Sequence, residues 1–403
     1  MKYVVILGDG MADYPIVSLG DRTPLEAANK PHMDALAQRG LVGLAQTIPE
    51  GMPPGSDAAN MSVMGFAPAE FYSGRSPLEA VSMGIELHAE GVTYRTNLVC
   101  MSDEPDFSAR TMVDYSAGEI STEEARELIE SLKPLFAAHG LELYAGISYR
   151  HCAVRRDGSV GAVLTPPHDI TGKPVADHLP KDVNGDALLR LQIEASAILA
   201  AHPVNLARIA AGKRPANGVW FWGEGTKPAF APFESLYGVK GGVVCAVDLI
   251  RGLGLCAGMR VCTPKGATGG MSTNYRGKAD AALALLHSGC DLVYIHIEAP
   301  DECGHQGDPA AKVAAIEAID RDVLGHLMQA LDAEGEDYRI LLTPDHPTPV
   351  KLCTHCADPV PFVIYDSRRM EHGTARYTEA LAAQTGLFLP EGPMLMQRLL
   401  ERS

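Results

Sequence analysis

Three short apolar runs that each stop at an aspartate constrain this chain more than any other feature of it. "KYVVILGD" ends on Asp9, "LVYIHIEAPD" on Asp301 and "RILLTPD" on Asp345. Apolar, β-branched runs of about four to eight residues bounded by Gly, Pro or Asp read as buried strands. Amphipathic helices alternate with them. Pro31 opens one over "PHMDALAQRG", with Gly40 as its stop. "DPAAKVAAIEAIDRDVLGHLMQALDAEG" is apolar at Val313, Ile316, Ile319, Val323, Leu327 and Leu331, the period of one buried helix face. Strand alternating with helix is the α/β pattern, which predicts a mostly parallel sheet between helices. Ligands of such open sheets gather outside the carboxyl ends of the strands, so the three aspartates are expected at one sheet edge.

At 403 residues the chain exceeds the roughly 250–300 over which a single core stops growing. A large domain and a smaller one are therefore expected. The texture changes between residues 91 and 212. There "STEEARELIESLKPLFAAHG" reads as a helix with a Ser/Thr start and a Glu-rich first turn. "LELYAGISYRHCAVRRDG" follows, read as a hairpin closed by its Asp–Gly turn. This predicts a discontinuous core domain, residues 1–90 and 213–403, interrupted by a smaller α+β domain at 91–212.

Charge narrows the partners. The chain has 34 basic and 50 acidic residues, a net charge of −16, which disfavours nucleic acid or an anionic membrane. A small anionic substrate needs positive charge concentrated locally. No run of eighteen apolar residues predicts a transmembrane helix, and "MKYVVILGDG" is too short in its apolar part for a signal peptide. Nine scattered cysteines, mostly in apolar contexts, read as reduced thiols, and the compartment expected is the cytoplasm. The oligomeric state is left open.

The aspartates have histidine neighbours. Asp301 and His305 stand four apart in "DECGH", one helical turn. His346 adjoins Asp345, and His355 lies nine residues beyond His346. Asp9, Asp301, His305, Asp345, His346 and His355 are too many donors for one tetrahedral ion and suit two. Carboxylate and imidazole together fit Mn²⁺ or Zn²⁺, with Co²⁺ or Mg²⁺ as further options. A two-metal site is a device for phosphoryl transfer, which also needs a nucleophile. Ser56 in "GMPPGSDAANMS" follows a Gly/Pro loop at an expected helix start, where backbone N–H groups favour a phosphate. The simpler reading of Ser56 is a helix cap, and the two are compatible. Cys353 and Cys356 make a C-x-x-C, but no second such pair completes a zinc site, so His355 between them is the residue of interest.

With these residues in view, the chain resembles the alkaline phosphatase superfamily. More narrowly it resembles the archaeal-type, 2,3-bisphosphoglycerate-independent (cofactor-independent) phosphoglycerate mutases. The matching stretches include "GDGMAD" (8–13), "GSDAANMSVMGF" (55–66), "YSGRSPLEA" (72–80), "GATGGMSTNYRGKADAAL" (266–283), "DECGHQGD" (301–308) and "TPDHPTP" (343–349), and they run nearly end to end. The resemblance implies an alkaline-phosphatase-like core with an inserted domain. It implies one divalent ion on Asp9, Ser56, Asp345 and His346, and another on Asp301, His305 and His355. It also implies interconversion of 3- and 2-phosphoglycerate through a phosphoserine on Ser56, with no 2,3-bisphosphoglycerate. Where the family commonly has Lys–Thr–His–Ser, this chain has Cys353–Thr354–His355–Cys356.

A triply charged substrate calls for basic groups, and the candidates are Lys278 after a glycine-rich loop, Arg95 in "YRTNL", and Arg150 with His151 in "SYRH". Two rivals share these residues: a homoserine kinase-like phosphotransferase and a metal-dependent phosphatase. Gly277–Lys278 is followed by Ala279, so the loop is not a Walker motif.

Overall fold

The computed structural model describes residues 1–401, in two compact units: 1–72 with 230–401, and 73–229. The first unit contributes β1 (Lys2–Gly8) and β2 (Leu41–Ala45) before the chain enters the second. The second holds β3 (Val92–Met101), β4 (Met112–Asp114), β5 (Glu142–Tyr144), β6 (Arg150–Arg155), β7 (Ala162–Val163), β8 (Lys181–Asp182) and β9 (Gly218–Thr226). The first then resumes with β10 (Gly241–Val244), β11 (Arg260–Cys262), β12 (Leu292–Ile297), β13 (Tyr338–Thr343), β14 (Val360–Asp366) and β15 (Phe388–Leu389).

The large sheet has the order β11-β10-β12-β1-β13-β14-β2-β15. Only β14 runs against the rest, pairing antiparallel with β13 and β2. The mixed α/β class with a mostly parallel sheet is as the sequence predicts. The three aspartate-ended strands are immediate neighbours, β12 and β13 flanking β1 in parallel. Register makes their ends flush: Gly8 is opposite Ile297, and Leu7 is opposite Thr343. Both faces are covered: Val4, Ile6, Val293 and Ile295 on one and Val5, Leu7, Tyr294 and Leu341 on the other are all fully buried.

The helical period of 309–334 places Ile316, Ile319, Val323, Leu327 and Leu331 in the core. The helix is not uniform, however. Pro309–Ala318 and Gly325–Glu334 are joined by a π-helical turn, Ile319–Leu324. That turn aims buried Asp320 at the start of the helix Pro31–Arg39, which has no side-chain cap of its own. The carboxylate accepts from the amides of Met33 (2.7 Å) and His32 (3.3 Å).

The loop after β1 is anchored by a helix near the C-terminus. Glu379 accepts from the Asp13 amide (3.2 Å) and the Thr23 hydroxyl (2.8 Å). Burial raises its carboxyl from the ordinary 4.5 to about 7, despite these hydrogen bonds. Between those values the folded chain keeps a proton that the unfolded chain has lost, so stability falls as pH rises through that window. Glu379→Gln should flatten this fall, read as denaturant midpoints at pH 4.5 and 7.5; an unchanged slope would rule the assignment out.

In the second unit β3 lies between β6 and β9. Its helices Thr122–Ala138 and Gly185–Ala201 cover the sheet with Leu128, Leu132, Phe136, Leu191 and Leu199. The extent expected for this unit, 91–212, falls short at both ends. β9 pairs with β3 from Gly218 to Thr226, and Ala80 packs with Ile85, Leu87, Cys152 and Val154. Nothing local in "GVWFWGEGT" says which sheet it joins. The hairpin β5–β6 forms, but its turn is residues 145–149; Asp157–Gly158 follows β6 instead. No helix among the described residues is long and apolar enough to cross a membrane.

Candidate metal centre

The loop from β1 sets the spacing of the centre. Gly10 has φ +60°, and its amide donates to Asp345 Oδ1 at 3.0 Å. A Cβ there would lie 2.5 Å from Thr348 Oγ1, 2.7 Å from Asp301 Oδ1 and 2.8 Å from Asp301 Cα. Only glycine permits both this backbone conformation and this approach.

Two donor groups result. In one, ligand atoms of Asp9, Asp345 and His346 lie within 4.8 Å of one another, all buried. His346 Nε2 is 3.5 Å from Asp9 Oδ1 and 3.4 Å from Asp345 Oδ2. In the other, His305 Nε2 is 3.3 Å from Asp301 Oδ2, and His355 Nε2 is 3.4 Å from Asp301 Oδ1. The two Nε2 atoms are 2.9 Å apart. The groups adjoin, since the rings of His346 and His355 are 4.2 Å apart. The i,i+4 spacing acts as expected, with Asp301 and His305 on the helix Ala299–His305.

Ser56 joins the first group. Gly55 occupies the N-cap of the helix Ser56–Val63, and no side chain caps it. The Ser56 hydroxyl is instead 3.1 Å from His346 Nε2, so capping is not its role. Asn60 Nδ2 donates to both the Ser56 carbonyl and Asp345 Oδ2 at 2.8 Å, while its Oδ1 accepts from the Tyr294 hydroxyl at 2.7 Å.

The electrostatics fit a cation. Asp9 is pushed well above the usual carboxylate range, by burial first and then by Asp345, Asp301 and Glu298. Its Oδ1 is buried without a hydrogen-bond partner, whereas Oδ2 is 3.0 Å from His296 Nε2. Burial alone would raise Asp301, but His305 and His355 outweigh it and hold the carboxyl low. His305 is raised to about 9, chiefly by its contact with Asp301. Crowded carboxylates, imidazole nitrogens turned toward them and one unpartnered buried oxygen form a donor set suited to divalent ions.

Three contributors escape the sequence reading: His296, Asn60 and Thr348. The signals were present, because a histidine inside "LVYIHI" and an asparagine on an apolar helix face are polar groups that a core must satisfy. The C-x-x-C enters through its backbone, the Cys353 carbonyl 3.0 Å from His305 Nδ1. All nine cysteines are free, and no metal-capable group among the described residues includes one.

The basic residues divide between the units. Lys278, in the first, is fully buried, its Nζ donating to the His296 carbonyl at 2.9 Å. Burial lowers it to about 8, opposed by Glu298, Cys245 and Asp9. In the second, the Arg95 guanidinium lies 3.9 Å from the Trp222 ring centroid and 2.9 Å from Glu79 Oε2. Burial lowers it to about 10, and Arg75 and Arg150 are close enough to add to that. Arg150 is exposed; His151 is buried and held neutral near 3, with Nδ1 accepting from the Gly146 amide at 3.1 Å and Nε2 unpartnered.

The family model described as 2,3-bisphosphoglycerate-independent phosphoglycerate mutase matches residues 37–205. A protein of Geobacter sulfurreducens described as a probable 2,3-bisphosphoglycerate-independent phosphoglycerate mutase is 48% identical over 403 residues, covering all of both chains. This chain belongs to the 2,3-bisphosphoglycerate-independent phosphoglycerate mutase family. The family's Methanothrix thermoacetophila member is likewise 48% identical, over 99% of this chain and 100% of its own. Among solved structures, a Pyrococcus horikoshii protein matches with a TM-score of 0.82 at 31% identity, covering 100% of this chain and 98% of that one. The cofactor-independent phosphoglycerate mutase of Thermoplasma acidophilum matches with a TM-score of 0.68 at 26% identity, over 99% of each chain. As a phosphoglycerate mutase family member the chain is an isomerase, an intramolecular phosphotransferase, and divalent metal use comes with that membership.

Proposed function

We propose that this chain interconverts 3-phosphoglycerate and 2-phosphoglycerate in the cytoplasm, through a phosphoserine on Ser56 and without 2,3-bisphosphoglycerate. Asp9, Ser56, Asp345 and His346 would hold one divalent ion, and Asp301, His305 and His355 the other, with Mn²⁺ the cation proposed. The observation that carries this reading is the Ser56 hydroxyl, spared from capping and 3.1 Å from His346 Nε2. When bound, the cations would neutralise phosphoryl charge and favour the alkoxide form of the serine.

Ser56 Oγ attacks phosphorus, the bond from phosphorus to the glycerate oxygen breaks, and that oxygen takes the proton the serine gave up. The glycerate turns, its other hydroxyl attacks the phosphoserine, and Ser56 regains its proton. The Ser56 and Asp57 amides at the start of Ser56–Val63 would receive phosphoryl oxygens, whereas those of Ala58 and Ala59 already donate to Asp57 Oδ1 and the Gly55 carbonyl. Water must be kept out, or the phosphoserine hydrolyses. Arg95 and Arg150 are proposed to meet the substrate's negative charge, and His151 to donate from the Nε2–H that its Gly146 contact implies. Lys278, buried near Asp9, would act there as a fixed positive charge.

Purified protein with Mn²⁺ should convert 3-phosphoglycerate to 2-phosphoglycerate with no added bisphosphoglycerate, and leave homoserine with ATP untouched. Phosphohomoserine formation, or release of inorganic phosphate at the rate of substrate loss, would instead favour the kinase or phosphatase.

A further inference from the structure

We infer that Thr348 is a positioning residue that sets the tautomer of His346 and ties the two donor groups together; this rests on the metal-centre reading above. The Thr348 hydroxyl lies against Asp301 Oδ1 and 3.2 Å from His346 Nδ1. A hydroxyl has one proton, and a carboxylate can only accept, so that proton points at Asp301. Thr348 Oγ1 must then accept from His346 Nδ1–H. In the neutral ring this leaves Nε2 as a bare lone pair, and Nε2 is the atom facing Ser56, Asp345 and Asp9.

The contact is built rather than incidental. Thr348 is fully buried, and its carbonyl accepts from Lys312 Nζ at 2.8 Å. The same ammonium donates to Asp13 Oδ2 at 2.7 Å and to the Ala12 carbonyl at 3.1 Å, locking this loop to the loop from β1. Gly10 leaves the space in which the hydroxyl sits. A threonine that needed only to satisfy its own hydroxyl has backbone carbonyls for the purpose, as Thr343 uses that of Pro344. Thr348 instead touches one side chain from each donor group, so ordering either should help order the other.

Thr348→Val keeps the shape and removes the hydroxyl; Thr348→Ser keeps the hydroxyl. Metal-free full-length wild type and both variants are titrated with Mn²⁺ alone by calorimetry. Valine is expected to weaken both binding steps by about 10–100-fold, the usual effect of losing a group that orients a ligand. Serine should restore both, and turnover should show a lowered kcat with KM little changed in the valine variant alone. Wild-type Mn²⁺ affinity in Thr348→Val overturns the inference and leaves the metal centre standing. Failure of the wild type itself to bind Mn²⁺ overturns the metal centre and this inference with it. Nitrogen NMR of the wild-type His346 ring, assigned by difference with His346→Gln, needs no Thr348 variant to fold: a protonated Nδ1 is expected, and a protonated Nε2 overturns the inference.

Discussion

Ser56→Ala is expected to lower kcat for phosphoglycerate interconversion by on the order of 10⁴-fold or more, the scale on which enzymes lose activity when a covalent nucleophile is removed. The replacement is small and local. Ser56 makes no cap, and the Asn60 bond to its carbonyl does not involve the side chain, so the helix Ser56–Val63 should stay in place. Mn²⁺ should still bind at Asp301, His305 and His355, none of which contacts the serine hydroxyl in the way His346 does. Calorimetry of the variant should therefore keep at least one Mn²⁺ step, and no acid-stable phosphoprotein should accumulate with substrate. Turnover at the wild-type rate would remove Ser56 as nucleophile.

The second large effect is expected from Asp301→Asn. Asp301 is touched by His305, His355 and Thr348, and so joins one donor group internally and, through Thr348, to its neighbour. Its replacement removes the one carboxylate of the second group while keeping nearly the same volume. A divalent ion contributes several kcal/mol of transition-state charge stabilisation, so activity should fall on the order of 10³-fold. Mn²⁺ bound per chain should drop from two to one. Chelation of the wild type should produce a similar loss that added Mn²⁺ reverses, whereas the variant should not be rescued at that concentration. Two Mn²⁺ per Asp301→Asn chain, with activity within about tenfold of wild type, would argue against the second metal position.

The site was more legible in the sequence than its surroundings were. Asp9, Asp301 and Asp345 could be placed together because the side on which a parallel strand delivers its ligands follows from chain direction alone. His305 followed from helix period, and His346 and His355 from the loop that Asp345 opens. The residues that escaped are those whose role depends on what packs against them. His296 and Asn60 lie in segments whose local pattern says only that they are buried, and the basic character of Lys278 gave no sign that it would be enclosed completely.

Local periodicity, strand direction and the placement of Asp and His beside chain-breaking residues were enough to specify an α/β sheet with a cluster of metal-type donors at one edge, because these signals act over a few residues. Tertiary structure alone decided that β9 completes the second unit, that Gly55 rather than Ser56 takes the N-cap of the helix Ser56–Val63, and that one threonine proton settles which nitrogen of His346 is bare. Each of those depends on partners dozens to hundreds of residues away, and the energy of burying a polar group is set by such partners rather than by its neighbours in the chain.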